Sequence, residues 1–517
     1  MGTSKLPGAE RGQTTRNLTQ ELLDLSLPAT SNLAAVRFPG GGWTYGELAA
    51  RMGAIAGALR AAGVRRGDVV ALALPDSPVW VAAFLAIARI GAVVAPVSSR
   101  TPSDVLESAV ARSAATLILS DEPGLCRGLP RLDSGELARA IAERRPDPGP
   151  EPVEGDPPCY LLLTSGSTGA PRWAVHRHGD IPFCLASYGR HVLDLRPGDV
   201  THSVAALATS YGLGNSLYFP LGAGACAWVD GQRPTPDATA AAVAAGANVL
   251  FGVPTSWARL ARHVTEGRLA ADTFASVRLG VSAGEPLPPA AWRAVRNALG
   301  IELVDGLGCS EMSNLYVSNR PGRTVPGSIG WLVPGFSARV VDRSGRDAAP
   351  GRDGELVVRG RSMMSRYLGD EAATRRVLHD GWLRTGDLVR RSPDGSFIFR
   401  GRIADRFKAG GAWVAPAAVE ALLRSHPHVV EAAVVPAPDP LGLARVVAVV
   451  TAVHIADPTE LRRGLTALAA ERLAPHETPR AIVVVDALPT TPSGKVRRPE
   501  LVRLGEAALA EGARVGV

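Results

Sequence analysis

The chain has 517 residues, of which 46% are hydrophobic and 20% charged, and its formal net charge is +7. That length exceeds a single hydrophobic core and predicts two to four packing units, with the composition of an ordinary soluble globular enzyme. The basic residues are dispersed and no basic run is interleaved with aromatics, so nucleic-acid binding is not expected.

The first twenty residues are polar and lack an apolar core, so no signal peptide is expected. Thr44-Tyr-Gly-Glu47 is a capping-box pattern. Leu48, Met52, Ile55 and Leu59 follow at helical spacing and predict a helix with one apolar face. The run "VVALALP" (69–75) predicts a buried strand, followed by an apolar helix and the strand "AVVAPVS" (92–98). This βαβ grammar implies a parallel sheet. The most apolar stretch, Val81 to Val97, is broken by Arg89, Gly91 and Pro96. It reads as a buried helix followed by a strand, not as a membrane span. Further strands are predicted at "TLILS" (116–120) and "YLLLTS" (160–165), separated by a Pro/Glu/Asp/Arg-rich connector at 142–158.

The alternation resumes with "ANVLFGV" (247–253), "VRLGVSAG" (277–284) and "IELVDGLG" (301–308), each ending in small residues. Ligands of open parallel sheets bind beyond the carboxyl ends of the strands, so these Gly-rich turns predict one shared pocket. After about residue 325 the pattern changes to short strands with frequent glycines, as in a small β-barrel or antiparallel layer. From 403 onward a mixed α/β segment follows, with a helix near 416–425 and strands "VVEAAVVP" and "ARVVAVVTA". The expected division is therefore 1–402 and 403–517.

The five cysteines, Cys126, Cys159, Cys184, Cys226 and Cys309, show no CxxC spacing. That argues against a disulfide framework or zinc site and fits a reducing cytoplasm. Of the 56 basic residues only Lys5, Lys408 and Lys495 are lysine. In so arginine-rich a chain, Lys408 and Lys495 become candidates for work that needs a compact charge on a flexible stem.

The stretch "TSGSTGAPRWAVH" (164–176) follows a predicted strand. Consecutive small residues let backbone N–H groups converge on an anion, and Ser and Thr hydroxyls add donors. A helix is expected after this loop, which would favour phosphate binding. The Walker A pattern is absent, and an ordinary surface turn fits the loop taken alone.

The wider pattern decides between them. "LLLTSGSTGAPR" resembles the phosphate loop of the acyl-adenylate-forming superfamily, and further motifs follow in that family's order. They are "SAGEPLP" (282–288), "DGLGCSE" (305–311), "GWLRTGDL" (381–388), "GRIADRFKAGGAWVAPAAVE" (401–420) and "PTTPSGKVRR" (489–498). The resemblance runs from about 35 to 505. Within the superfamily, "YGLGNSLYFPLGAGA" (211–225), "FGVPTSWA" (251–258) and "GLGCSEMSNLYVSNRPG" (306–322) look like benzoate–CoA ligases.

The resemblance implies an α/β fold. Its large N-terminal domain would hold parallel sheets flanked by helices and a small β-barrel-like layer, beside a small mobile α+β C-terminal domain. It implies ATP, Mg²⁺ and, as co-substrate, CoA. A carboxylate would attack the α-phosphate of ATP to give an acyl-AMP and pyrophosphate, and a thiol would then take the acyl group. Thr164, Ser165, Gly166, Ser167, Thr168 and Gly169 would cradle the β- and γ-phosphates, with Arg172 keeping the charge where the family has lysine. Glu311 would hold Mg²⁺, a hard cation suited to carboxylate and phosphate oxygens. Ser310 would contact the α-phosphate, and Lys495 would bridge it to the carboxylate. Gly284, Glu285, Pro286, Asp305, Gly306 and Leu307 would frame the adenine. Asp387, with Arg402 nearby, would bind the ribose. Lys408 falls on a second family lysine, and Gly410 and Gly411 would border the pantetheine tunnel. Ser210, Tyr211, Gly212, Gly308 and Asn314 would line the acid pocket. Ser210 and Asn314 stand where benzoate ligases have alanine and histidine, which suggests a hydroxyl- or amino-substituted ring.

Two departures stand out. Trp173 replaces a glycine and either shields the phosphates or packs on the following helix, the second being favoured. Ala404 replaces a polar hinge residue beside Asp405. The leading expectation is an AMP-forming aryl-acid–CoA ligase, without nucleic-acid or membrane partners and with room for a homodimer. The alternatives are transfer to a carrier protein or a non-thiol acceptor, including nitrite activation by a diazotase-type enzyme, and a non-catalytic ligand-binding homologue.

Overall fold

The computed structural model describes residues 16–164, 171–349, 351–409, 412–453, 457–489, 496–510 and 512. The chain forms two compact units, one of Met1–Ala338 with Val357–Arg384, the other of Arg339–Leu356 with Thr385–Val517. The chain passes into the second unit for the last time at Arg384/Thr385, earlier than 402/403.

The first unit holds two large sheets. One runs in the order Arg366–Tyr367, Arg172–Arg177, Pro158–Thr164, Val93–Pro96, Val69–Leu72, Ala115–Leu119, Arg131–Leu132. From Pro158–Thr164 onward its neighbours are parallel. The other sheet contains six adjacent parallel strands, Leu303–Gly308, Leu279–Ser282, Val249–Gly252, Val200–Ser203, Cys226–Trp228 and Ala34–Phe38. Antiparallel Leu315–Ser318 and Gly41–Thr44 flank them. Because the six run in one direction, the turns after Ser203, Gly252, Ser282 and Gly308 all leave the same edge, as the apolar runs predict.

Local signals account for the helices. Thr44 and Glu47 form the expected capping box, the Glu47 N–H donating to Thr44 Oγ1 at 3.2 Å and the Thr44 N–H to Glu47 Oε2 at 2.9 Å, and the helix Tyr45–Ala61 follows. Ser77 caps Pro78–Arg89, in which every residue from Trp80 to Arg89 is buried. The apolar stretch is thus a core helix, and among the described residues no helix is long and apolar enough to cross a membrane.

Arg89 is 8% exposed and is neutralised on two sides, by Asp24 at 2.9 Å and Asp147 at 2.7 Å. Arg60 holds Glu151 at 2.7 Å, and the Asn17 amide donates to the carbonyls of Ala88 and Glu151. The charge-rich connector is therefore tied at Asp147 to the core helix and at Glu151 to the helix Tyr45–Ala61.

A five-stranded sheet joins Ser337–Val341, Asp353–Arg359, Trp382–Arg391 and Leu378–His379, with Phe397–Arg402 paired to Trp382–Arg391. In the second unit Val429–Pro438 and Ala444–Ala452 are antiparallel, with Ala481–Val485 parallel to the latter. Side chains alternate between two cores. Val434, Val446 and Val450 meet Val419, Leu423 and Leu465 on one face, while Val435, Val447 and Val449 meet Leu501 on the other. Burial on both faces explains why these strands read as continuous apolar runs.

Candidate active site

The segment after Thr164 requires one correction. The chain returns as a strand, Arg172–Arg177, antiparallel to Pro158–Thr164 with Thr164 opposite Arg172, and no helix follows the loop directly. The described residues on either side of 165–170 are thus strand and strand, where strand and helix were expected. Ser165, Gly166, Ser167, Thr168 and Gly169 lie outside the described residues, as do Gly410, Gly411 and Lys495.

Arg172 and Trp173 point to opposite faces of the returning strand, as consecutive strand residues do. Arg172 Nε donates to Asp370 Oδ2 at 2.9 Å, and its guanidinium lies 5.8 Å from the Tyr367 ring centre. A backbone N–H from Ala373 and the Arg172 contact hold the Asp370 carboxyl below its usual range. Trp173 is 2% exposed, among Leu106, Ala109, Val110 and Leu161, and its indole N–H donates to the Ala109 carbonyl at 2.9 Å. It packs on the helix Ser103–Ser113, which precedes it, and not on a following helix. Its bulk fills the core.

On the second sheet, the strand Leu303–Gly308 leads into a short turn, Ser310–Met312. Ser310 Oγ donates to Ser210 Oγ at 3.4 Å. Glu311 Oε1 accepts from the Tyr367 hydroxyl at 2.7 Å, and burial followed by the Glu311 charge pushes that phenol up, keeping it a donor. Ser210 starts the short helix Ser210–Leu213, whose cap Thr209 accepts from the Gly212 N–H at 3.0 Å. A Cβ at Gly212 would fall 2.0 Å from the Ala206 carbonyl oxygen, so this turn admits only glycine. Gly308 is as constrained, its Cβ position lying 2.6 Å from the Asn314 carbonyl oxygen.

Tyr211 packs its ring edge-on against Phe251, and its hydroxyl donates to the carbonyls of Val281 at 3.2 Å and Gly252 at 3.3 Å. Asn314 is 4% exposed, and its amide donates to the Tyr218 hydroxyl at 2.9 Å. Its Oδ1 accepts from the Leu315 N–H. Asn314 is thus already engaged with protein partners. The same Nδ2 lies 2.4 Å from where a Gly214 Cβ would stand, which places Asn314 against the helical segment that follows Tyr211.

Gly284, at φ +90°, lies two residues beyond the strand Leu279–Ser282 and precedes Glu285 and Pro286. Asp305 is 5% exposed on the neighbouring strand, with Gly306 and Leu307 beside it, and burial pushes its carboxyl well above the usual range. Asp305 Oδ1 has no hydrogen-bond partner among the described residues.

In the second unit, Asp387 is fully buried and meets Arg402 Nε at 2.7 Å across the strand pair. Lys408 faces Trp413 across a hairpin, with its ammonium 5.4 Å from the indole centre. Asp405, next to Ala404, meets Arg498 at 3.4 Å.

The structure brings together Ser210 with Ser310, Gly308 with Asn314, and Asp387 with Arg402. Sequence reasoning missed Tyr367, Tyr218 and a buried group of His176, Asp180, Ser313 and Tyr160. The run "HRHGD" (176–180), two of only ten histidines beside an aspartate, was the available signal for that group.

The chain matches the AMP-binding enzyme family over residues 26–368 and the AMP-binding enzyme C-terminal domain over 418–495. It is 34% identical to an anthranilate–CoA ligase of Pseudomonas aeruginosa, over 86% of this chain and 88% of that one. It is 33% identical to a benzoate–CoA ligase of Thauera aromatica, over 89% and 90%. The solved benzoate CoA ligase of Burkholderia xenovorans superposes with a TM-score of 0.86 at 31% identity, covering 94% of this chain and 99% of that one. The chain belongs to the AMP-binding enzyme family and is an enzyme of the AMP-forming ligase type.

Proposed function

We propose that the protein activates an aromatic carboxylic acid of the substituted benzoate type as its aryl-AMP and transfers the aryl group to CoA. The contact between Ser310 and Ser210 supports this reading, since the hydroxyls of the two residues that the motifs assign to the α-phosphate and to the acid pocket lie 3.4 Å apart. A carboxylate held between Tyr211 and Asn314 would sit beside the α-phosphate.

In this proposal a carboxylate oxygen attacks the α-phosphate and pyrophosphate leaves. Both reactants are anionic, so the site must supply positive charge and fixed donors. Thr164 through Gly169 hold the β- and γ-phosphates, and Lys495 bridges carboxylate and α-phosphate. Arg172 contributes charge at the hairpin base while paired with Asp370. The purine lies along Gly284–Pro286 and Asp305–Leu307, and Asp387, oriented by Arg402, accepts from the ribose hydroxyls.

Glu311 fits a Mg²⁺ ligand: it is a carboxylate fixed by one phenol, and Mg²⁺ is commonly held by one or two carboxylates plus substrate phosphates. The ion would neutralise charge on the phosphates. Thioester formation follows when the CoA thiol attacks the acyl carbonyl and AMP leaves, with Gly410 and Gly411 beside the pantetheine. The division at 402/403, with a C-terminal part that moves between the two steps, belongs to this proposal.

Incubation with ATP, Mg²⁺ and a panel of benzoates, with and without CoA, tests it by product mass. Aryl-CoA plus AMP is the expected result. Pyrophosphate and AMP without aryl-CoA would replace CoA by another acceptor, and an inert protein would overturn the proposal.

A further inference from the structure

We infer that His176, held by Asp180, is a positioning residue that sets the Ser310–Asn314 turn for adenylation. The inference rests on the reaction proposed above only in taking Ser310, Glu311 and Asn314 to handle the substrates.

His176 and Asp180 have fully buried side chains. His176 Nδ1 lies 2.9 Å from Asp180 Oδ2 and 2.9 Å from Ser313 Oγ. His176 Nε2 lies 2.8 Å from the Ser310 carbonyl oxygen. A carbonyl can only accept, so Nε2 carries hydrogen and donates to it. The Asp180 carboxylate also only accepts, so in its 2.9 Å contact Nδ1 donates to Oδ2 and fixes the ring from the other side. The carboxylate is itself held by Arg177, whose Nη2 lies 3.1 Å from Oδ1 and whose N–H donates to Oδ2 at 3.2 Å. Tyr160 stacks on the imidazole at 5.0 Å between ring centres, and its hydroxyl is 2.8 Å from Ser313 Oγ. One ring thus touches the turn at both ends, at the Ser310 carbonyl and at the Ser313 side chain.

The backbone between those contacts needs this support. Ser313 has φ +64°, the left-handed region that a residue with a Cβ rarely adopts. Such a conformation persists only where the surroundings over-determine it. Here the Ser313 hydroxyl meets both His176 and Tyr160, and the Ser313 N–H donates to the Ser310 carbonyl at 3.1 Å, the oxygen His176 also binds. The twist at Ser313 sends Glu311 toward Tyr367 and Asn314 toward Tyr218 from a single turn. His176 stands on the strand that returns from the loop at 165–170, four residues after Arg172. It therefore links the base of that hairpin to the turn bearing Ser310 and Glu311.

The test compares His176→Leu, His176→Gln and Asp180→Asn in acid-dependent AMP formation, normalised to active sites. Leucine removes the donor while keeping bulk, and glutamine keeps an N–H near the position of Nε2. We expect kcat to fall on the order of 100-fold in His176→Leu, the scale of a small misplacement of reacting groups. KM for ATP and acid should stay nearly unchanged, glutamine should restore most of kcat, and Asp180→Asn should fall between. A purely structural role would instead lower the active fraction and leave kcat per active site unchanged, which would overturn the inference. So would equal activity of the leucine and glutamine variants.

Should the wild type turn over no aryl acid, the proposed function fails and the positioning claim is still read separately. Nitrogen-15 histidine spectra of the ligand-free protein should show an imidazole Nε2–H sheltered from solvent exchange, absent in His176→Gln. A wild type lacking that signal would refute the Ser310 contact.

Discussion

The Tyr367 hydroxyl donates to Glu311 Oε1 at 2.7 Å, joining the strand that borders the hairpin sheet to the turn that follows Leu303–Gly308. A charge-assisted hydrogen bond of this kind fixes which way a carboxylate faces. Tyr367→Phe keeps the ring under Arg172 and deletes only the donor. Loss of a residue that orients a metal-binding group typically costs about 10- to 100-fold in affinity or activity. The expected result is a higher Mg²⁺ concentration at half-maximal AMP formation, measured by metal titration at saturating ATP. An unchanged Mg²⁺ dependence would remove Glu311 from the metal role.

Trp173 gives a prediction about stability. Truncating a buried tryptophan to alanine costs about 3–5 kcal/mol. Trp173→Phe should cost less, because it mainly loses the bond to the Ala109 carbonyl, a contribution of about 1 kcal/mol. Denaturant midpoints should fall in that order, and KM for ATP should not change in the phenylalanine variant. A large rise in KM with an unshifted midpoint would return Trp173 to the phosphate loop.

In the proposed function, Asn314 and its partner Tyr218 are the pair that would read the ring. With its amide committed to Tyr218, Asn314 has one remaining N–H to offer a ring substituent. Asn314→Ala should lower kcat/KM for hydroxy- or aminobenzoates more than for benzoate. Tyr218→Phe should change the same ratio without touching the pocket wall directly. Equal losses across the acid panel for both variants would show that neither residue reads the ring.

His178 predicts how stability depends on pH. Burial, with Arg66 adding repulsion, holds its pKa at about 4, and its Nδ1 accepts from the Leu18 N–H at 3.0 Å. The unfolded chain binds this proton below about pH 6.5, whereas the folded chain does so only near pH 4. The neutral ring's contribution is complete above the higher value and disappears as pH falls across that window, on the order of 3 kcal/mol in all. His178→Asn keeps an acceptor for Leu18 without a titrating group. Its denaturant midpoint should change less between pH 7 and pH 4.5 than that of the wild type. Parallel losses would place the acid sensitivity elsewhere.

The elements legible in the sequence are those whose cause is local. The capping box at Thr44 and Glu47 needs four residues, and the βαβ run from 69 to 98 needs a change of apolar period. The hairpin after Thr164 was not legible, because both faces of Arg172–Arg177 are covered and no alternation remains to separate strand from helix. Trp173 looked anomalous for a related reason. Its partner, the Ala109 carbonyl, is 64 residues away and donates no signal of its own. At the active site the motifs identified Ser310, Glu311 and Asn314, but not the groups that hold them. Tyr367 and His176 reach that turn from 56 and 134 residues away, and only the sheet order sets them beside it.

The ties from Arg60 and Arg89 to the connector bear on how the chain meets proteases. By composition, 142–158 is the kind of segment that is nicked first. Cleavage requires several residues to leave the surface in extended form, and here Asp147 and Glu151 would have to abandon buried or half-buried guanidinium groups before Arg144 or Arg145 could enter a trypsin cleft. A stretch with the chemical character of a linker is, in this fold, a fastened edge of the first unit.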